Sequence, residues 1–96
     1  ELNLPLGRLR LRRGGSPAGH RGMESVIENL RTADVPRLRL GIAGPEPPAG
    51  EALADYVLAP FVPDELATAE EMICRAADAC EVWLREGAEA AMRQFN

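Results

Sequence analysis

Three features of the chain predict an α/β fold: two short stretches that alternate leucine with arginine, a helical repeat between them, and a long amphipathic segment towards the C-terminal end. Residues 7–13 read Gly-Arg-Leu-Arg-Leu-Arg-Arg, a period of two. On a strand this puts Leu9 and Leu11 on one face and Arg8, Arg10 and Arg12 on the other. Residues 36–43 repeat the pattern, with Leu38, Leu40 and Ile42 opposed to Arg37 and Arg39. Between them Met23, Val26, Ile27 and Leu30 recur at i, i+3, i+4 and i+7, the spacing of one helical face. Two strands joined by a helix of about ten residues could form a crossover unit, and the periodicity does not fix whether the strands are neighbours.

Beyond the second strand, residues 44–50 hold three prolines and two glycines in seven positions, which predicts a surface connection. A short helix is expected over residues 51–58, with Leu53, Tyr56 and Val57 available for burial. The last predicted element is a helix over residues 63–94. Pro63 suits its first position, and Asp64 and Glu65 place negative charge on its first turn. Its expected inner stripe is Leu66, Ala69, Ile73, Ala76, Cys80, Trp83, Leu84, Gly87 and Ala91. Its polar face is acidic, which suits a helix covering a sheet better than one lying on a membrane.

With 96 residues the chain forms one small domain with little stability in reserve. No apolar run reaches the roughly 18–20 residues of a membrane span, and residues 1–11 lack a signal-peptide core. The first residue is Glu1 rather than methionine, so a fragment or trimmed chain from a soluble, cytoplasmic parent is expected. Cys74 and Cys80 lie six apart in a helical stretch, about 240° around the axis, which suits neither a mutual disulfide nor a shared metal. They are expected to pack as small apolar groups. With His20 as the single histidine, no metal site is expected.

The overall net charge of −4 conceals a strong polarity. All eleven basic residues are arginine. Eight of them stand against four acids in residues 1–43, a net +4, whereas three stand against eleven acids in residues 44–96, a net −8. A basic face beside an acidic helix follows. Same-face arginines on a strand are about 6.6–6.8 Å apart, comparable to successive phosphates of a nucleic-acid strand. Residues 14–19, Gly-Gly-Ser-Pro-Ala-Gly, form a turn that runs into His20-Arg21-Gly22 and opens the first helix, where free N–H groups can face an anion. The Gly-Lys-Ser/Thr ending of a nucleotide-binding P-loop is absent.

Taken in order, residues 1–12 (Glu-Leu-Asn-Leu-Pro-Leu-Gly-Arg-Leu-Arg-Leu-Arg), 14–27 (Gly-Gly-Ser-Pro-Ala-Gly-His-Arg-Gly-Met-Glu-Ser-Val-Ile), 36–45 (Pro-Arg-Leu-Arg-Leu-Gly-Ile-Ala-Gly-Pro) and 55–61 (Asp-Tyr-Val-Leu-Ala-Pro-Phe) resemble the second half of the bacterial peptidyl-tRNA hydrolases. The resemblance covers essentially the whole chain. It implies the C-terminal part of a mixed α/β sheet flanked by helices, with about two strands, a lid helix within residues 44–58 and the long C-terminal helix. It implies hydrolysis of the ester that joins a peptide to the 3′ ribose of tRNA, with no cofactor. A histidine of the other half would activate water, oriented by an aspartate that normally precedes the position of Glu1. This chain alone is therefore expected to be inactive.

Position by position, the resemblance makes His20 a supporting residue of the crevice, within Gly19-His20-Arg21-Gly22. Arg21 stands where the family has an asparagine, and a guanidinium only donates where an amide also accepts. Gly19, Arg21, Leu2 and Asn3 are expected on the substrate side, the last two on the crevice rim. Arg12 and Arg39 correspond to positions that clamp the 5′ phosphate of tRNA, and Arg10 and Arg13 extend the patch. Arg8, Arg31 and Arg37 are expected to be solvated or paired with acids. The partners implied are peptidyl-tRNA and the missing N-terminal half. A non-catalytic RNA-binding relative of the same fold is the alternative that Arg21 favours. If the covering strands belong to the other half, the isolated chain is expected to self-associate or to pack loosely.

Overall fold

The leucine–arginine alternation folds as two antiparallel strands, β1 (Leu9–Arg12) and β2 (Arg37–Leu40), in a computed structural model that describes residues 1–46 and 48–96. Between them lies α1 (Arg21–Leu30), and after them come α2 (Ala52–Leu58), α3 (Pro63–Glu86) and α4 (Ala88–Phe95). The α/β class is as the periodicities predict. The crossover unit is not: β1 and β2 are direct antiparallel neighbours, and the parallel element is a single bridge between Pro5 and Ala43. Pro47, within the expected lid segment, lies outside the described residues.

Register explains the two faces. Leu9 stands opposite Leu40 and Leu11 opposite Leu38, while Arg10 faces Arg39 and Arg12 faces Arg37. The leucines of both strands therefore share one face and the arginines the other. Leu9 and Leu11 are buried to 4% and 3% exposure under α3 and α4. Ala79 and Ala91, with no exposed surface, meet Leu11 at the centre of the core, and Leu38, Trp83, Met92 and Phe95 are half-buried around them. Small side chains at that contact bring the helix backbones close to the sheet. The result is a slab 16 Å thick, with α3 and α4 layered on the sheet.

The C-terminal helix differs from its expected form in two ways. It breaks at Gly87, whose φ of 95° is left-handed, so that Gly87 ends α3 by donating to the Trp83 carbonyl and starts α4 by accepting from the Ala91 amide. The break folds α4 back onto α3 and β1. The second difference is the inner face. Ala69, Met72 and Ala79 are buried, whereas Leu66, Ile73 and Leu84 of the expected stripe are 46%, 57% and 85% exposed. Cys74 and Cys80 are exposed rather than packed. The apolar arc of α3 is wider than the sheet beneath it, and the alanine-rich side of that arc makes the contact. Val57, expected to be buried, is half-exposed on α2.

Both ends of the chain close the small sheet. At its start, the Ile42 amide donates to the Glu1 carbonyl and the Ala43 amide to the Leu4 carbonyl, each at 3.0 Å. Gly41 permits this passage, because a Cβ there would collide with the Pro5 carbonyl. At its end, the Asn96 side chain mimics a strand: Oδ1 accepts from the Leu11 amide at 2.5 Å and Nδ2 donates to the Leu11 carbonyl at 3.1 Å. Among the described residues no helix is long and apolar enough to cross a membrane.

Replacing Asn96 with alanine removes both bonds to Leu11 and leaves two part-buried backbone groups without partners. The variant is expected to lose about 1–3 kcal/mol of stability, read as a lower urea midpoint with an unchanged slope.

Candidate functional site

An open crevice of about 620 Å³ lies along β2. One wall is the loop of residues 14–18 with His20 and Met23, one end is Glu1 and Asn3, and Arg12, Arg37 and Arg39 line it with the leucines of β2. Arg12, Arg39, His20 and Asn3 of the predicted site residues thus border the same space. Leu2, Gly19, Arg21, Arg10 and Arg13 do not line it.

His20 is the N-cap of α1. Its backbone is extended, with φ −78° and ψ 108°, and its Nδ1 accepts from the Met23 amide at 3.0 Å. Gly22 leaves room for the ring, since a Cβ there would lie 3.0 Å from the imidazole Cε1. A nitrogen that accepts an N–H carries no proton of its own, so the neutral ring bears its hydrogen on Nε2. His20 therefore offers a donor to a ligand rather than a free base. The next two amides, those of Arg21 and Gly22, have no protein acceptor among the described residues and carry the positive end of the helix dipole. Arg21 is exposed at the first position of α1, beside these amides.

The arginines divide by environment. Arg37, expected to be solvated or paired with an acid, is half-buried and bonds to four backbone carbonyls: Nε to Val35, Nη1 to Ser16, and Nη2 to Gly15 and Ala33, at 2.9–3.2 Å. Solvating those carbonyls with a planar fork of donors fixes the crevice loop to the start of β2. The alternation pattern placed this residue on the arginine face, but nothing in the sequence distinguished it from its neighbours there. Arg39 pairs through Nε with the Glu1 carboxylate at 2.9 Å, with side-chain exposures of 18% and 24%. Arg13 turns to Glu89 on α4, at 2.8 Å in an exposed pair. Arg12 and Arg10 make no ion pair among the described residues.

Glu1 is the acid that sequence reasoning passed over. The Arg39 guanidinium donating to it lowers its carboxyl from an ordinary 4.5 to about 2, opposed by partial burial and helped by the Asn3 amide. The same bond raises Arg39 above its usual value. Among the described residues no group of three His, Cys, Asp or Glu converges as a metal site.

The Glu1–Arg39 pair gives a pH signature. A depressed carboxyl stabilises the fold above its unfolded value near 4.5 and ceases to do so as pH falls through about 2. Partly exposed, the pair is worth about 1 kcal/mol after screening. Acid titration followed by circular dichroism should show that loss between these limits, and Glu1→Gln should remove it.

A sequence profile of the peptidyl-tRNA hydrolase family matches residues 1–96. Proteins named peptidyl-tRNA hydrolase from Methylacidiphilum infernorum, Symbiobacterium thermophilum and Chloroflexus aurantiacus are 52%, 50% and 47% identical over all 96 residues, in each case across 50% of the relative. The crystal structure of peptidyl-tRNA hydrolase from Acinetobacter baumannii superposes with a TM-score of 0.84 at 26% identity, covering 98% of this chain and 46% of that one. The chain thus spans about half the length of the relatives it matches. The β1–β2 ribbon, the capped α1 and the broken C-terminal helix are similar to half of a known architecture, and the chain belongs to the peptidyl-tRNA hydrolase family.

Proposed function

We propose that this chain is the C-terminal half of a peptidyl-tRNA hydrolase, which cleaves the ester between a peptide and the 3′ ribose of tRNA and so recycles peptidyl-tRNA for translation in the cytoplasm. The observation that carries this reading is the convergence of His20, Asn3 and Arg12 on one crevice in a chain matched to the family along its whole length. The crevice supplies donors. Nε2 of His20, and just outside the lining the amides of Arg21 and Gly22 on the first turn of α1, suit a developing oxyanion or a bound phosphate. Arg12 suits a tRNA phosphate, with Arg10 beside it. Arg39 has its Nε committed to Glu1, so its terminal nitrogens alone remain for the tRNA.

Among the described residues that line the crevice, the imidazole and the carboxylate are both already engaged. Nδ1 of His20 is held by the Met23 amide, and the carboxylate of Glu1 is held by Arg39. The base, a histidine oriented by an aspartate as the family resemblance implies, belongs to the other half. On this reading the chain alone binds substrate without turning it over. Residues 44–58 would act as a lid whose helix α2 is tied to the end of β2 by the Tyr56 hydroxyl, which donates to the Ile42 carbonyl at 2.6 Å and accepts from the Gly44 amide at 3.0 Å.

Arg21 favours a second reading, an RNA-binding relative without hydrolysis. Its guanidinium cannot accept a hydrogen from water, as the asparagine of the family can. One set of measurements separates the two. The chain alone should bind tRNA without hydrolysing peptidyl-tRNA. Arg12→Ala should weaken that binding roughly tenfold and reduce its salt slope by about one. In a chain completed by the other half of the Methylacidiphilum infernorum relative, hydrolysis supports the enzyme. Turnover that is absent and then restored by Arg21→Asn supports the binder, and absence of tRNA binding in both forms sinks both readings.

A further inference from the structure

Of the four arginines on the ribbon face, Arg37 is the one whose donors are nearly all spent. A guanidinium has five N–H groups. Four of those on Arg37 meet backbone carbonyls, those of Val35, Ser16, Gly15 and Ala33, at 2.9–3.2 Å. A single N–H on Nη1 is left, whereas a paired grip on a phosphate needs two in parallel. Arg37 stands directly opposite Arg12 in the register. Of the two guanidiniums on that rung, only Arg12 keeps its whole fork among the described residues.

The four carbonyls belong to two different loops. Gly15 and Ser16 precede α1, and Ala33 and Val35 follow it. The same loops meet directly through the Gly15 amide, which donates to the Ala33 carbonyl at 3.3 Å. Between them α1 buries no residue fully, so its place is set by its connections more than by packing. From Ser16 the path to His20 is short and stiff. Pro17 has a fixed φ. Its carbonyl accepts from the His20 amide at 3.0 Å, across a turn whose middle residues, Ala18 and Gly19, are left-handed at φ 50° and 81°. An alanine keeps that conformation where its surroundings over-determine it. His20 then caps α1 through Nδ1.

We infer that Arg37 is a positioning residue: by holding the loops on both sides of α1 it sets the turn of residues 17–20 and keeps the His20 ring against the crevice with Nε2 as its donor, and it does not itself grip phosphate. A count of positive charges along the crevice would assign it to the nucleic acid with Arg12 and Arg39. The three differ in what each can still donate. Charge and fork therefore have separate uses on one face. Lysine in place of Arg37 keeps the charge and loses the fork, because three donors about one nitrogen cannot span four carbonyls in two loops. The effect of Arg37 on tRNA rests on the proposed function, and its effect on His20 does not.

NMR on the chain and on Arg37→Lys tests it. In mildly basic buffer the neutral His20 ring of the unmodified chain should carry its proton on Nε2. In Arg37→Lys the ring should populate both tautomers and the Met23 amide should exchange about tenfold faster, with the core amides of Ala79 and Ala91 unchanged. A folded Arg37→Lys whose His20 and Met23 signals match those of the unmodified chain would overturn the inference. In tRNA binding, Arg37→Lys and Arg37→Met should both weaken roughly tenfold, about the loss of one charge-assisted bond, with the salt slope kept. Recovered affinity in Arg37→Lys, or a slope lowered by about one in Arg37→Met, would make Arg37 a phosphate ligand and overturn it as well. Should the variants not fold, the Nε–H signals of the unmodified chain decide: that of Arg37 should exchange more slowly than those of Arg8 and Arg10, and equal rates sink the anchor. A chain that binds no tRNA sinks the proposed function, and the His20 and Met23 signals still judge Arg37.

Discussion

The registered pairing of β1 with β2 is the constraint on which the other features depend. By setting Leu9 against Leu40 and Leu11 against Leu38, it collects the apolar side chains on one face and forces four arginines together on the other. Like charges directly opposite one another on a ribbon destabilise it. Two of the four are answered locally, Arg39 by the Glu1 carboxylate and Arg37 by four carbonyls. Arg10 and Arg12, both on β1, remain without an ion pair among the described residues. The basic character of the site is thus left over from the folding of the ribbon, after two of its charges have been used to fix the crevice loop and the start of the chain.

The leucine face sets the helices. Leu11 meets Ala79 and Ala91, and alanines at that contact let α3 and α4 lie close to the strands. Among the described residues the seven buried hydrophobic ones include nothing larger than methionine, so the core is thin and the slab only 16 Å deep. A core of this size leaves the wide apolar arc of α3 partly uncovered. The exposed row and the buried row belong to one continuous surface, divided by how far this chain's sheet extends beneath it.

That division explains what the sequence disclosed and what it withheld. The strands were legible because a period of two in leucine and arginine has one reading on a half-buried ribbon. The first helix and its histidine turn were legible from apolar spacing behind a glycine-rich turn, and the short helix from the proline- and glycine-rich stretch ahead of it and Pro60 after it. The pairing of the strands was not, since antiparallel contact depends on the path of residues 31–36. The inner face of α3 was misjudged because hydrophobicity ranks Leu66, Ile73 and Leu84 above Ala69 and Ala79, whereas the sheet selects by size and position. The break at Gly87 was hidden by apolar residues that continue past it with helical spacing. Among the site residues, His20, Asn3, Arg12 and Arg39 converge on the crevice, whereas Arg13 is drawn to Glu89 by α4, whose placement no local pattern reveals.

The state of His20 joins these points. A histidine beside a helix N-terminus has two uses, as a cap and as an acid or base, and they compete for the same lone pair. Here the Met23 amide occupies Nδ1, and Gly22 keeps the space that this pose requires. Releasing the ring to act as a base through Nδ1 would forfeit the cap, worth about 1 kcal/mol, at a helix that buries no residue fully and has little else to hold it. The fold therefore commits His20 to donating through Nε2. The crevice along β2 is thus offered a hydrogen-bond donor at this corner, and the lone pair that could take a proton through Nδ1 is already in use.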